Sequence, residues 1–195
     1  FDMFGVWLTL IGQDGEVEQT TAGVSDIDIS SWLAAIGANA ALGPVDLHGQ
    51  FIYSPGDDDA NDTDVDNFYG AIASYYWAEI MGFGTFDNAV PTNTPGDKIF
   101  NVMIANIGAS FKPMDKLNVA VDLWYAQREE DIVFANGQSE DELGTELDVV
   151  VTYELVEGLN LDLVGAYLWA GDAVSADGSN DEDPYEFGAQ LSLSF

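Results

Sequence analysis

The sequence predicts an all-β fold, an antiparallel transmembrane β-barrel of which about eight strands fall within this chain. Three observations lead there. Apolar and polar residues alternate over long segments. Tight turns alternate along the chain with long acidic loops. The chain has 195 residues and is 47% hydrophobic, yet no apolar run reaches the ~18 residues that a membrane helix needs. Period-two alternation with one polar face is the signature of a half-buried strand. Loop length that alternates in this way is the pattern of a membrane barrel, with short turns on one side and long loops on the other.

The clearest strand is the C-terminal one, Tyr185–Phe195. One face carries Phe187, Ala189, Leu191, Leu193 and Phe195, and the other Glu186, Gly188, Gln190, Ser192 and Ser194. Further segments of the same kind lie near 2–12, 30–43, 45–55, 98–112, 117–128, 142–156 and 159–170. They are longer than the usual globular strand of about five or six residues and suit the roughly 9–11 residues of a tilted membrane strand. Tight turns are expected at Gly43-Pro44, Pro113–Lys116 and Glu157-Gly158, and long acidic loops at 13–29, 57–97, 129–141 and 171–184. A short helix is expected near 72–82. The chain reads as one domain over 1–195, and its start, Phe1-Asp2-Met3-Phe4, lacks the basic region and apolar core of a secretion signal.

The outward stripes are apolar: Val119, Val121 and Leu123; Leu147, Val149 and Val151; Leu159, Leu161 and Leu163. With the C-terminus placed on the periplasmic side, aromatics sort by height. Trp32, Tyr53, Tyr125, Tyr167, Trp169 and Phe187 gather toward the outer end, and Phe4, Phe111, Tyr153 and Phe195 toward the inner one. Amphipathic rings collect in this way at the two faces of a bilayer. The expected location is the bacterial outer membrane, with the long loops extracellular.

Charge is the outlier of the composition. There are 35 acidic residues against four basic ones, a net charge of -31. Such a chain cannot neutralise phosphates, so nucleic acid is excluded as a partner. There is no cysteine, hence no disulfide and no thiolate chemistry. Most of the acids fall in the loops. Those on inward strand positions, Asp46, Asp122, Glu146, Asp148, Glu154, Asp162 and Glu186, line a pore in this reading together with His48. The four bases are Lys112 and Lys116 at a periplasmic turn and Lys98 and Arg128 near the outer rim. Carboxylates crowded without cations into the side-chain-filled interior of a small barrel would carry a heavy desolvation cost. Small inward residues, Ala35, Gly37, Asn39 and Ala41, point the same way. The strands therefore read as part of a larger, water-filled barrel, or as one chain of a homo-oligomer that completes it; the even strand count leaves a complete eight-stranded barrel as the alternative.

The C-terminal strand ending in Phe195 resembles the assembly signal of Gram-negative outer-membrane barrels. Gly144-Thr145-Glu146-Leu147-Asp148, Gly171-Asp172-Ala173 and the turn Phe111-Lys112-Pro113-Met114-Asp115-Lys116-Leu117 are similar to alginate-export-type porins. The resemblance covers about residues 98–195 and implies a substrate-conducting pore.

Loop 57–97 is too long for a simple connector. Its apolar stretch, Tyr75, Tyr76 and Trp77 followed by Glu79, Ile80 and Met81, is expected to fold inward as a constriction, the alternatives being a cap on the outer rim or a contact with a partner. Asp57, Asp58, Asp59, Asp62, Asp64 and Asp66 offer oxygen ligands for calcium, although the spacing is no EF-hand: Asn67 and Ala73 stand where Gly and the bidentate Glu belong. Asp177, Ser179, Asp181 and Asp183 form a weaker version of the same pattern. A divalent ion there could bridge to lipopolysaccharide. No cofactor is expected. No Ser–His–Asp spacing can be named around His48, so the chain is expected not to be an enzyme. The function expected is a porin for passive diffusion of small solutes, cation-preferring through its acidic lumen. The alternative is a structural barrel anchor whose acidic loops bind calcium or a partner.

Overall fold

The computed structural model describes residues 3–21, 23, 25–59, 62–68, 77–86, 99–180 and 182–195. It is an all-β structure. The long strands are β1 (Phe4–Val17), β2 (Ile27–Leu42), β3 (Val45–Ser54), β5 (Val102–Met114), β6 (Leu117–Val133), β7 (Ser139–Val156), β8 (Leu159–Ala170) and β9 (Tyr185–Leu193). A two-residue strand, β4 (Asp64–Val65), pairs parallel with β2 at Asp28–Ile29. The long strands form one meandering antiparallel sheet in the order β1-β2-β3-β5-β6-β7-β8-β9. Among the described residues β1 and β9 pair with one neighbour each, so both edges of the sheet are open.

Three hairpins close at one end of the sheet through two-residue turns. Gly43 and Gly158 take the positive φ that such turns need, 66° and 80°, and Lys116 adopts it at 70°. Pro113 lies inside β5 and not in the turn. The pairing of β5 with β6 shifts register between Phe111 and Met114, which is where a residue without an N–H can sit in a strand.

At the opposite end the strands are longer than the alternation suggests. β1 continues to Val17, β6 to Val133, and β7 begins at Ser139. The expected loops 13–29 and 129–141 therefore shrink to 18–26 and 134–138. Ladder hydrogen bonds carry these hairpins on through residues too acidic to look like strand, as at Ile132↔Glu140 and Glu16↔Asp28. The helix expected near 72–82 is absent from 77–82, where Trp77 instead bridges to Phe83 with a turn between them. Its remaining positions, with Tyr75 and Tyr76, lie outside the described residues, as do Lys98 and Asp181.

The two faces of the sheet differ sharply. The convex face exposes Phe4, Val6, Leu8, Leu10, Ile36, Phe51, Ile107, Val121, Leu123, Leu163, Leu191 and Leu193. Trp32 stacks on Tyr53 with centroids 5.0 Å apart, and Tyr167 meets Trp169 edge-on at 5.0 Å. Cross-strand register sets these rings at one height: Tyr53 lies beside Ala34 and Met103, Tyr125 beside Ala105 and Thr145, and Thr145 beside Trp169. Phe4, Phe111 and Tyr153 lie near the short-turn end. From Thr145 to Tyr153 the strand runs about 26 Å at 3.3 Å per residue, which at the ~40° tilt of barrel strands spans about 20 Å of the ~25 Å apolar band.

The core sits against the concave face, toward the long-loop end. Leu33, Ala35, Ile52, Ile104, Trp124, Ala126, Leu143 and Leu168 from the strands pack on Trp77, Ala78 and Met81 from the segment that follows β4.

Candidate functional site

Register, read across the sheet, assembles the concave face in rows. One row runs Trp7, Gly37, Gln50, Asn106, Trp124, Glu146, Leu168. The next, nearer the short turns, runs Gly5, Asn39, His48, Gly108, Asp122, Asp148, Ala166, Glu186. His48, Asp122, Glu146, Asp148 and Glu186 thus lie within two adjacent rungs on four strands, β3, β6, β7 and β9. Asp46 lies one rung further down, opposite Ser110. Glu154 lies at the short-turn end opposite Asn160, and Asp162 accepts a hydrogen bond from Thr152 Oγ1 at 2.6 Å.

The inserted segment 77–86 is fastened to the first of these rows. Glu146 is fully buried. Its carboxylate accepts hydrogen bonds from three successive backbone N–H groups: Glu79 at 2.7 Å, Ile80 at 2.6 Å and Met81 at 2.8 Å. The Glu79 N–H is shared with Asp148 Oδ2 at 3.2 Å. Consecutive amides turned toward one anion form a nest, and charge-assisted bonds of this kind are the stronger ones.

The segment is also folded on itself. The Glu79 carboxylate, 3% exposed, accepts from Thr85 N–H at 2.7 Å and Thr85 Oγ1 at 2.8 Å. A side chain at Gly82 would fall on Trp77, and one at Gly84 on Glu79, so glycine is what lets this turn close. Trp77 then packs edge-on against Trp124, centroids 6.2 Å apart. Phe86 reaches the wall at Gly188, where any Cβ would meet its ring.

Below the segment lies a cavity of about 600 Å³, lined by residues of β1, β2, β3, β5, β6 and β7 together with Thr85. On its wall His48 Nε2 and Asp122 Oδ1 are 2.6 Å apart. Asn106 Nδ2 donates to the same oxygen at 3.0 Å. His48 and Asp122 stand on β3 and β6, with β5 between them. Strands two apart are separated by about 9.6 Å, so the two side chains must lean across the middle strand. That strand has Gly108 at the crossing, where a Cβ would collide with both Asp122 Oδ1 and His48 Nε2. Alternation in the sequence marks His48 and Asp122 as inward-facing. It does not show that they meet, because pairing between non-adjacent strands leaves no local trace. Gly108 is the one signal that could have suggested it.

Several acidic loop residues hydrogen-bond within their own loops. Among the described residues no three acidic or histidine side chains converge as metal ligands. Asp62 Oδ1 caps the backbone N–H of Asp64 at 2.9 Å. Ser31 Oγ donates to the Asp66 carbonyl at 2.5 Å, holding this loop against β2. Desolvation, followed by the charges of Asp58, Asp57, Asp64 and Asp62, holds the Asp66 carboxyl above the usual carboxylate range. Asp183 binds the Tyr167 hydroxyl at 3.1 Å and the Ala170 N–H at 3.0 Å, so it serves to fasten the loop before β9. Asp177 likewise caps Ser179.

The chain matches no protein-family model and no curated protein sequence. Among solved structures it is similar to the outer-membrane expressed OmpT of Vibrio cholerae, at 13% identity and a TM-score of 0.46, over 100% of this chain and 53% of that one. It is also similar to the in-vitro folded form of OmpT, an outer membrane protein of Vibrio cholerae, at 12% identity and a TM-score of 0.40, over 98% and 50% of the two chains. The chain therefore spans about half the length of these structures. Neither is an alginate-export-type porin by name. The expectation that the chain is not an enzyme is corrected here: with both neighbours being OmpT outer-membrane proteins, the exclusion of catalysis no longer stands.

Proposed function

We propose that this chain forms part of the wall of an outer-membrane channel for passive diffusion of small solutes, narrowed by segment 77–86 and biased toward cations. The observation that carries the reading is the fastening of that segment to Glu146. A stretch of a long connection is tied by three backbone hydrogen bonds to the concave wall, above a polar cavity and not over the rim. The convex apolar belt suits lipid. In lipid the open edges of β1 and β9 must be paired, because unpaired backbone groups there cost several kcal/mol each. Further strands, from a longer polypeptide or from a second copy, complete the barrel in this reading. Long loops face outward and the short turns face the periplasm.

Cation bias follows from the fixed carboxylates. Asp46, Asp122, Glu154, Asp162 and Glu186 stand on the same face as Glu146 and Asp148, and a narrow aqueous path lined by one sign of charge concentrates its counter-ions. The test is a planar-bilayer recording of the full-length protein in a potassium chloride gradient. Stepwise conductance with a cation-selective reversal potential in dilute salt is expected. A protein that inserts without conducting would overturn the channel, and an anion-selective sign would overturn the charge argument.

A further inference from the structure

We propose that the cavity wall formed by β1, β2, β3, β5 and β6 is a binding site for a neutral polyhydroxylated ring, a sugar, with Trp7 as its aromatic surface and Asn39, Asn106 and the His48–Asp122 pair as its hydroxyl partners. The inference rests on the channel reading for its biological setting, because it names the solute class that the channel would pass.

The wall is shaped for these side chains. A Cβ at Gly37 would fall inside the Trp7 indole, so that ring lies flat across the β2 backbone. One at Gly5 would strike the Asn39 amide oxygen, and one at Gly108 the His48–Asp122 contact. Glycine at three interior positions on three strands presses an indole, an amide and a hydrogen-bonded pair against the backbone. The space this frees belongs to the cavity, and about 600 Å³ lies within the ~300–1,000 Å³ of small-molecule sites. Trp7 keeps 38% of its surface exposed, open to a ligand. Trp124 is 2% exposed, and its buried indole Nε1 has no hydrogen-bond partner among the described residues.

The chemistry selects the ligand. Asn39, Gln50, Asn106 and Asn118 all line the cavity, with Ser110 beside them. An amide offers donors and an acceptor together, as a hydroxyl does, so an amide-rich wall matches a polyol better than an ion. Asp122 is the single carboxylate of the lining, and His48 and Asn106 already engage it. Glu146 is spent on the amides of segment 79–81. An indole face covers the C–H face of a pyranose while leaving the ring's equatorial hydroxyls to the amides.

The test is isothermal titration calorimetry of the full-length protein folded in detergent, with cellobiose as the probe and mannitol and sodium gluconate as comparisons. Saturable cellobiose binding is expected, stronger than that of open-chain mannitol or anionic gluconate. Trp7→Ala should weaken it about tenfold, and Asn106→Ala should weaken it as well. Gly37→Val probes the same indole without removing it and should also weaken binding. Circular dichroism and thermal stability serve to show that each variant is folded. No saturable cellobiose binding, or binding indifferent to Trp7→Ala and Gly37→Val, would overturn the site. Binding without conductance sinks the channel and leaves the site. Conductance without binding sinks the site and leaves the channel.

Discussion

Glu146 holds Ile80. The carboxylate on β7 accepts the Ile80 backbone N–H at 2.6 Å, and Glu79 and Met81 on either side donate to the same group. A fully buried acid thus anchors a loop remote in sequence, with main-chain donors supplying the compensation that a basic side chain would otherwise give.

Glu146→Ala removes these acceptors, leaving the Ile80 and Met81 N–H groups unpaired and the Glu79 N–H with only its longer bond to Asp148. Each bond to a charged group is worth about 1.5–3 kcal/mol, without simple additivity. The segment should detach, raising single-channel conductance and opening residues 77–86 to protease. Glu146→Gln keeps one acceptor but turns an NH₂ toward the amides, and should fall between. Unchanged conductance and protease resistance in Glu146→Ala would show that Glu146 is not the anchor.

Val149 and Val150 are neighbours on opposite faces, midway between the two aromatic bands. Val149→Arg places a charge on the apolar side at a cost of about 2–4 kcal/mol. Val150→Arg places it in the cavity with Asp122. Assembly yield and heat-modifiable migration in gels should collapse for the first and largely survive for the second. Equal tolerance would put the wrong face toward lipid.

Gly144 sits at the bulge where β6 pairing skips Leu143, with φ at 130°. A Cβ there would strike the Trp169 carbonyl. Gly144→Ala should cost about 1–3 kcal/mol from backbone strain, plus the clash. A lowered midpoint in urea unfolding checks it. Gly12→Ala, with open space around its Cβ, is the control.

Cation selectivity should be strongest in dilute salt and fade toward 1 M, where the screening length falls to about 3 Å. Combined Asp122→Asn and Asp162→Asn should reduce it. Neutralising Asp57, Asp58 and Asp59 should mainly change the rate of ion capture. Reversal potentials and conductance at several salt concentrations separate the two, and selectivity that holds at high salt would mean that it is steric.

Much of the fold was legible because a strand's side-chain period is two. Phe187 through Phe195 and Leu147 through Val151 declare their face without any partner. Turn chemistry at Gly43 and Gly158 was legible for a similarly local reason, the positive φ. Strand ends were less so. Asp14, Glu16 and Glu140 look like loop, and only pairing with β2 and β6 makes them strand. The site was legible as a list of inward residues and not as contacts.

The sequence by itself determined the all-β class, the number of long strands, the facing of each and the reversal of the chain at three tight turns, because each is set by residues adjacent in the chain. The tertiary structure decided which inward residues meet. It set His48 against Asp122 across Gly108, Trp7 on Gly37, and Glu146 beneath the amides of residues 79–81. Those relations depend on register summed over several strands and on where a long loop comes to rest, and neither has a period that can be read along one chain.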